Sequence, residues 1–327
     1  MADTLKVLAR LASLALALAL AAAQAAHAQA RAGDDLAAPS PLVPLYARLD
    51  EALAQKVVGA DDAPGRWLSG RLSGFDLAAQ ARDFAAAAAR DTREPLYAAS
   101  LADVCMRPAA PTPPECLVRD AVGYWTSREA DNAVPWLLQA ERSRRRNATP
   151  AMIDNLERAA TSARFDDHAG RSAAVAWTRV APLVGPADRA AGALYALSYA
   201  GATGAAMSAV ENVCGVPTRA LDPRIGPACA RLGMLMADNG TSFVDRRAGV
   251  QIALAAAPNE VARAVVNDSA RGIVAAQERC RDARNALERD AMAGPAARAA
   301  AAVSAERFVA TLAARGEVAA CAELAGR

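Results

Sequence analysis

Apolar residues recur along this 327-residue chain at three- and four-residue intervals, the spacing that lines one face of an α-helix. Leu42, Leu45, Tyr46, Leu49, Leu53 and Val57 follow it first and predict an opening helix. Gly59 to Gly65 reads as a turn, and further helices are predicted near residues 75–90, 94–106 and 116–128. Asp131-Asn132 begins another, and Thr149-Pro150 offers a capping side chain with proline at the first helical position. Asp166 or Asp167 can cap a helix reaching about Val180, and Gly185-Pro186 opens the next. Asn239-Gly240-Thr241-Ser242 joins a helix stop to a fresh cap, and Pro258 and Gly294-Pro295 punctuate the remainder. About ten to fourteen helices of roughly 10–20 residues are expected.

Composition agrees with the pattern. Alanine dominates, aromatic residues make up 4%, and alternating Val/Ile runs of strand character are missing, so the chain is expected to be all-α. Short helices with apolar stripes cannot bury those stripes alone. They stack as an array of antiparallel pairs or as a bundle. Residues 42–327 are read as one helical domain, with a possible subdivision near residue 185, and 31–41 as a flexible lead-in.

The first thirty residues break the pattern and read as a cleaved secretory leader. Lys6 and Arg10 precede an apolar run from Leu11 to Ala23, and Ala26-His27-Ala28-Gln29-Ala30 holds two overlapping cleavage sites. About thirteen apolar residues are too few to span a bilayer, which needs roughly twenty. The leader has no cysteine to carry a lipid anchor, and charges interrupt every later apolar stretch. A soluble periplasmic or secreted protein, with no membrane insertion after cleavage, is expected. The excess of alanine and arginine fits a GC-rich bacterial genome. Removing Lys6, Arg10 and Asp3 leaves 35 basic and 34 acidic side chains, a balance with no field to attract nucleic acid or anionic membrane.

Export changes how the six cysteines read, because disulfides lead in an oxidising compartment. Cys105 to Cys116 encloses four prolines and cannot be helical, so it reads as a loop clipped at its ends. Cys214 to Cys229 has the same character, which leaves Cys280 and Cys321 to join two helices across the Ala293-Gly294-Pro295 turn. Each bridge is expected to contribute roughly 3–4 kcal/mol through loop entropy. The spacings do not suit zinc, and no metal or cofactor is expected.

One segment carries a family pattern. In Asn132-Ala-Val-Pro-Trp136-Leu-Leu-Gln-Ala140, followed by Leu156 and Ala159, the large and small residues fall at the positions of a helix-pair motif. Residues 131–164 thus resemble a tetratricopeptide repeat, which implies a superhelix whose groove binds a peptide or protein. Gln139, Met152 and Arg164 depart from the pattern, Arg164 standing where the closing proline belongs. Glu94 to Trp125 could be a degenerate neighbouring unit.

Candidate chemistry is sparse. Beyond the leader His168 is the only histidine, in Phe165-Asp166-Asp167-His168. Asp166 or Asp167 could orient it as a general base or share a metal with it. A capped helix start with Phe165 packed beneath is the preferred reading. No Gly-x-Ser-x-Gly elbow is present; Gly70 to Gly74 reads as a turn, and Gly201 to Gly204 as a turn or a close helix contact. Glu51, Glu94, Glu129, Glu141 and Glu157 sit in predicted helices and read as solvated faces. Arg142, Arg144, Arg145 and Arg146 form the densest charge cluster, either a binding patch for an acidic partner or a glycan phosphate or, the preferred reading, an exposed C-terminal helix turn. Trp67, Trp125, Trp136 and Trp177 read as core residues, and the three Asn-x-Ser/Thr triplets carry no weight in a bacterial host. The function these features favour is a non-catalytic scaffold for a protein or peptide partner. The alternatives are a periplasmic enzyme acting on cell wall or another polymer through acidic residues and, more weakly, an inhibitor or immunity-type protein.

Overall fold

The computed structural model describes residues 42–326 apart from 108–110, 202–203 and 258. The proposed leader, the 31–41 lead-in and Pro258 therefore lie outside the described residues, as do parts of the Cys105–Cys116 and Gly201–Gly204 loops. The described residues form seventeen α-helices and no strand, in line with the all-α expectation. Backbone contacts divide the chain after Leu45, into Met1–Leu45 and Tyr46–Arg327; everything below concerns the second unit.

Helix α1 (Val43–Val57) runs through that division. It is followed by α2 (Ala63–Leu72), α3 (Leu77–Arg90) and α4 (Pro95–Met106). Helix α2 corrects the reading of Gly59–Gly65 as a turn. Asp62 caps it by accepting from the Gly65 N–H at 3.0 Å, so Pro64-Gly65 opens a helix rather than interrupting one. Gly70 lies inside it because a Cβ there would stand 2.6 Å from the Phe84 ring. The glycine is a close helix contact, not a turn.

The predicted 116–128 helix is two pieces, α5 (Pro114–Val118) and α6 (Ala121–Arg128), parted where Asp120 caps the second. Helices α7 (Ala133–Arg145) and α8 (Thr149–Ala160) form a hairpin. Asn132 caps α7 as expected, whereas Thr149 is already helical and Ala148 offers no side-chain cap to α8. Then come α9 (Ala169–Val180), a 3-10 turn at Pro186–Asp188, α10 (Arg189–Leu197), α11 (Gly204–Cys214) and α12 (Val216–Arg219). The last places a helical turn inside a loop read as non-helical. Helix α13 (Ile225–Asn239) and α14 (Phe243–Ala256) pack closest of all. At Gly233 and Gly249 the two backbones touch, since a Cβ on Gly249 would lie 2.5 Å from the Ala237 nitrogen. Ser242 and Asp245 form the capping box of α14.

The chain closes with α15 (Glu260–Met292), α16 (Pro295–Arg315) and α17 (Glu317–Ala325). At 33 residues α15 is far longer than expected. Its buried residues form a narrow stripe, Val266, Ile273, Cys280 and Leu287 at seven-residue steps with Ala291 beyond them.

All three cysteine pairs close sequentially, with Cα separations of 5.3 Å for Cys105–Cys116, 5.7 Å for Cys214–Cys229 and 4.9 Å for Cys280–Cys321. The third differs from expectation in reach. Because α16 ends at Gly316, the bridge ties α15 to α17, and α16 is enclosed between them. One core cluster gathers Phe243, Val250, Ile273, Phe308 and Leu312, and a second gathers Leu194, Leu287, Ala305 and Val309. Trp67, Leu68, Trp125, Leu137 and Leu156 are wholly buried in the preceding helices.

Candidate functional site

Four inter-helix turns meet around residues 164–168. The α6–α7 turn joins the α8–α9 turn through backbone bonds, Ala133 N–H to Arg164 O at 2.9 Å and Ala163 N–H to Asp131 O at 3.0 Å. Asn132, fully buried, donates to Asp166 O at 2.7 Å and accepts from Asp166 N–H at 3.1 Å. Phe165 bridges Gly240 of the α13–α14 turn. That turn in turn receives Glu317 N–H at Thr241 O, 2.7 Å away, while the Phe243 N–H donates to the Glu317 carboxylate at 3.0 Å. Gly316 turns there with φ at +83°, and a Cβ would meet Thr241 at 2.7 Å.

Charge fills the space between the turns. One Glu129 oxygen accepts from Trp125 Nε1 at 2.7 Å, Asn132 Nδ2 at 3.1 Å and His168 Nε2 at 2.7 Å, and the other accepts from Arg164 at 2.8 Å. Arg164 reaches on to Asp131 and Asp166, at 3.0 and 3.2 Å. A proline at this position would abolish that link, so the departure from the repeat pattern has a structural role. His168 is enclosed, in a left-handed conformation with φ of 64°, and Trp125 packs against its ring. Its Nδ1 lies 3.3 Å from Asp166 but is not aligned for a hydrogen bond, so that contact acts through charge alone.

Burial pulls the His168 imidazole toward its neutral form, but the Asp166 and Glu129 carboxylates outweigh it and push the pKa up to about 9. Burial likewise opposes ionisation of Glu129 and Asp166, and the imidazolium and Arg164 overcome it and hold both below the usual carboxylate range. Asp245 goes the other way. Burial and the neighbouring Asp167 charge push it up to about 8, so it carries a proton at neutral pH. His168 is therefore a cation in this environment, the wrong state for a general base. Asp167 accepts from the Ala169 N–H at 3.0 Å and Asp166 from the His168 N–H at 2.9 Å, the helix-start role expected of them. Among the described residues no group of three or more His, Cys, Asp or Glu is arranged to hold a metal ion.

The hub forms one wall of a cleft of about 400 Å³. Arg164, Asp166 and Arg171 line it from the α8–α9 turn and α9, Arg284 and Glu317 from α15 and α17, and Phe308 and Leu312 from α16. Gly170 lets α9 come close to α16 there, since a Cβ would fall 2.1 Å from Leu312 O. A larger open groove, about 1160 Å³, runs between α14 and α15. It shares Arg284 and Glu317 with the cleft, its floor holds Val250 and Ile273, and Arg247, Arg281, Glu278 and Glu288 rim it.

The other candidates fall elsewhere. Glu51 is exposed, and Glu94 caps α4 and pairs with Arg171 at 3.2 Å. Glu129 and Glu141 are buried rather than solvated, which corrects the reading of both. Glu141, 1% exposed, binds Arg144, Arg145 and Asn212. Glu157 is half-buried on α8. Trp67 and Trp125 are core residues as expected, while Trp136 and Trp177 are only partly buried and stack with Arg158 and Arg189. Glu129 was missed as a hub residue. Its signal was local: Glu129 stands one helical turn after Trp125 and three residues before the cap residue Asn132.

No protein-family model matches the chain, and comparisons with curated proteins and with solved structures find no significant match.

Proposed function

We propose that this protein is an exported, non-catalytic helical scaffold that binds a protein or peptide partner. The observation that carries this reading is the arginine-lined cleft opening into the α14–α15 groove, two concavities that share Arg284 and Glu317. An apolar floor rimmed by both signs of charge suits a peptide segment, with buried anchors and polar edges. The tetratricopeptide-like hairpin α7–α8 belongs to the same reading, as the resemblance that suggests groove binding. Export rests on the leader pattern and fits three closed disulfides. Among the described residues no helix is long and apolar enough to cross a membrane.

An acid-based enzyme is the competing reading, because Asp166 and Glu317 line the same cleft. It requires a carboxyl group that keeps its proton near neutral pH. Asp166 is held in the opposite direction, and the protonated Asp245 is completely buried.

The test is affinity capture from periplasmic extract with the oxidised protein and with a Val274→Glu/Arg281→Glu variant of the groove. The scaffold reading predicts a partner recovered reproducibly by the native protein and lost with the variant. Recovery of no partner, or equal recovery by both, overturns it. Cleavage activity lost in Glu317→Gln with folding intact would favour the enzyme.

A further inference from the structure

A third concavity lies beside the first disulfide. Its volume is about 250 Å³, and the Cys105–Cys116 bridge and Thr112 form part of its wall. Arg119, Arg142, Arg145 and Arg146 line it, and Asp120 is the single acidic residue among its lining. Asp120 is already engaged: it accepts from the Gly123 N–H at 3.0 Å and from Arg142. Glu141 lies behind, held by Arg144 and Arg145. Four guanidinium groups and one carboxylate line the pocket, which carries a local positive excess in a chain that is otherwise nearly neutral.

The donors are not used up. Arg145 spends only Nε on Glu141, at 2.8 Å. Arg119 gives one nitrogen to Ala85 O at 3.5 Å, the limit of a hydrogen bond. The Arg146 guanidinium makes no hydrogen bond among the described residues, although it feels the Asp120 charge. These donors come from two segments, Arg119 from the α5–α6 link, and Arg145 and Arg146 from the end of α7. Ala121 and Val122 of the pocket wall are the first two residues of α6, so a helix N-terminus, with its partial positive charge, faces the same space.

A carboxylate presents two oxygens in one plane and satisfies a single guanidinium fork. Several guanidinium groups with unspent donors lining one pocket fit a tetrahedral, doubly charged anion better. We infer that this disulfide-walled pocket is a binding site for phosphate, either the free ion or a phosphomonoester group. The bridge matters to it directly. Cys116 precedes Arg119 by three residues, so closing the loop fixes where Arg119 stands. The inference does not rest on the partner-binding reading, because the two sites share no lining residue.

Calorimetric titration of the oxidised protein at physiological ionic strength tests it, with inorganic phosphate, a sugar phosphate and acetate as probes. Saturable binding of phosphate or sugar phosphate is expected, weakened by about tenfold or more in Arg119→Gln/Arg146→Gln. Arg263→Gln on α15 serves as the control and should bind like the native protein. Tighter binding of the sugar phosphate assigns the ester, and equal binding assigns the free ion. Both mutated arginines are exposed, so the variant should fold; should it not, Arg146→Glu alone carries the same prediction. No saturable binding, acetate binding as tightly as phosphate, or equal losses in variant and control would overturn the inference.

Discussion

The chain ties its turns in two different ways. Around Cys105 a covalent bond joins residues 11 apart, while around His168 a charged hydrogen bond joins residues 39 apart. The covalent clip is followed at once by exposed apolar residues, Leu117 and Val118 of α5, and asks little of its surroundings. The charged hub works only when it is dry and every member has its partner. A buried ion network of this kind is an all-or-nothing device. The clips should answer to reductant and the hub to pH and to single substitutions.

Breaking the hub should produce the largest effect. Glu129→Ala leaves the His168 imidazolium and Arg164 without their shared acceptor, and a loss of about 3–5 kcal/mol in urea unfolding is expected. Opening the clips comes next and should follow loop length. Replacing Cys280 and Cys321 by serine should cost about 4 kcal/mol, and replacing Cys105 and Cys116 about 3 kcal/mol. The enclosed segments differ accordingly, with separations of 41 and 11 residues. The reverse order would show that loop entropy does not govern the bridges. Gly170→Ala probes the close approach of α9 to α16 beside the cleft, where overpacking against Leu312 O should cost about 1–3 kcal/mol in thermal unfolding.

The last prediction concerns pH, and it separates the two devices most cleanly. Asp245 keeps its proton up to about 8, whereas an unfolded aspartate releases it near pH 4. Its contribution is therefore complete at low pH and declines as the pH rises from about 4 to 8. His168 contributes fully below about pH 6.5, and that contribution is lost as the pH rises through about 9. Glu129 and Asp166, held low, act in the opposite sense and lose their contribution on acidification. The melting temperature should peak in mildly acidic buffer and fall toward pH 9, and Asp245→Asn should flatten the part of that fall below pH 8. A profile unchanged by Asp245→Asn would remove Asp245 from the account.

Much of the fold was legible because its signals are local. Asn132, Ser242 and Gly294-Pro295 mark helix boundaries through groups only a few residues away, and the structure places boundaries at each. The sequential cysteine pairs were readable for the same reason. Helix α2 was hidden because Pro64, Gly65 and Gly70 carry the signature of a turn, and only the Phe84 ring on the next helix explains Gly70. The length of α15 was hidden because its core-facing residues come once in seven, too sparse to register beside its charges. The hub was least legible. An aspartate pair before a histidine looks like an ordinary helix cap, and it is one. Its second role depends on Glu129, 39 residues earlier, and on Asp245, 77 residues after His168, and spacing along the chain records neither contact.

The central claim is that His168 is a buried cation that clamps the α6–α7 turn to the α8–α9 turn. NMR titration of its imidazole resonances, assigned by comparison with His168→Gln, tests this most directly. The account predicts a midpoint near 9, well above the ordinary histidine value of about 6.5. A midpoint at or below that ordinary value would leave the imidazole neutral between Glu129 and Asp166, and would contradict the clamp.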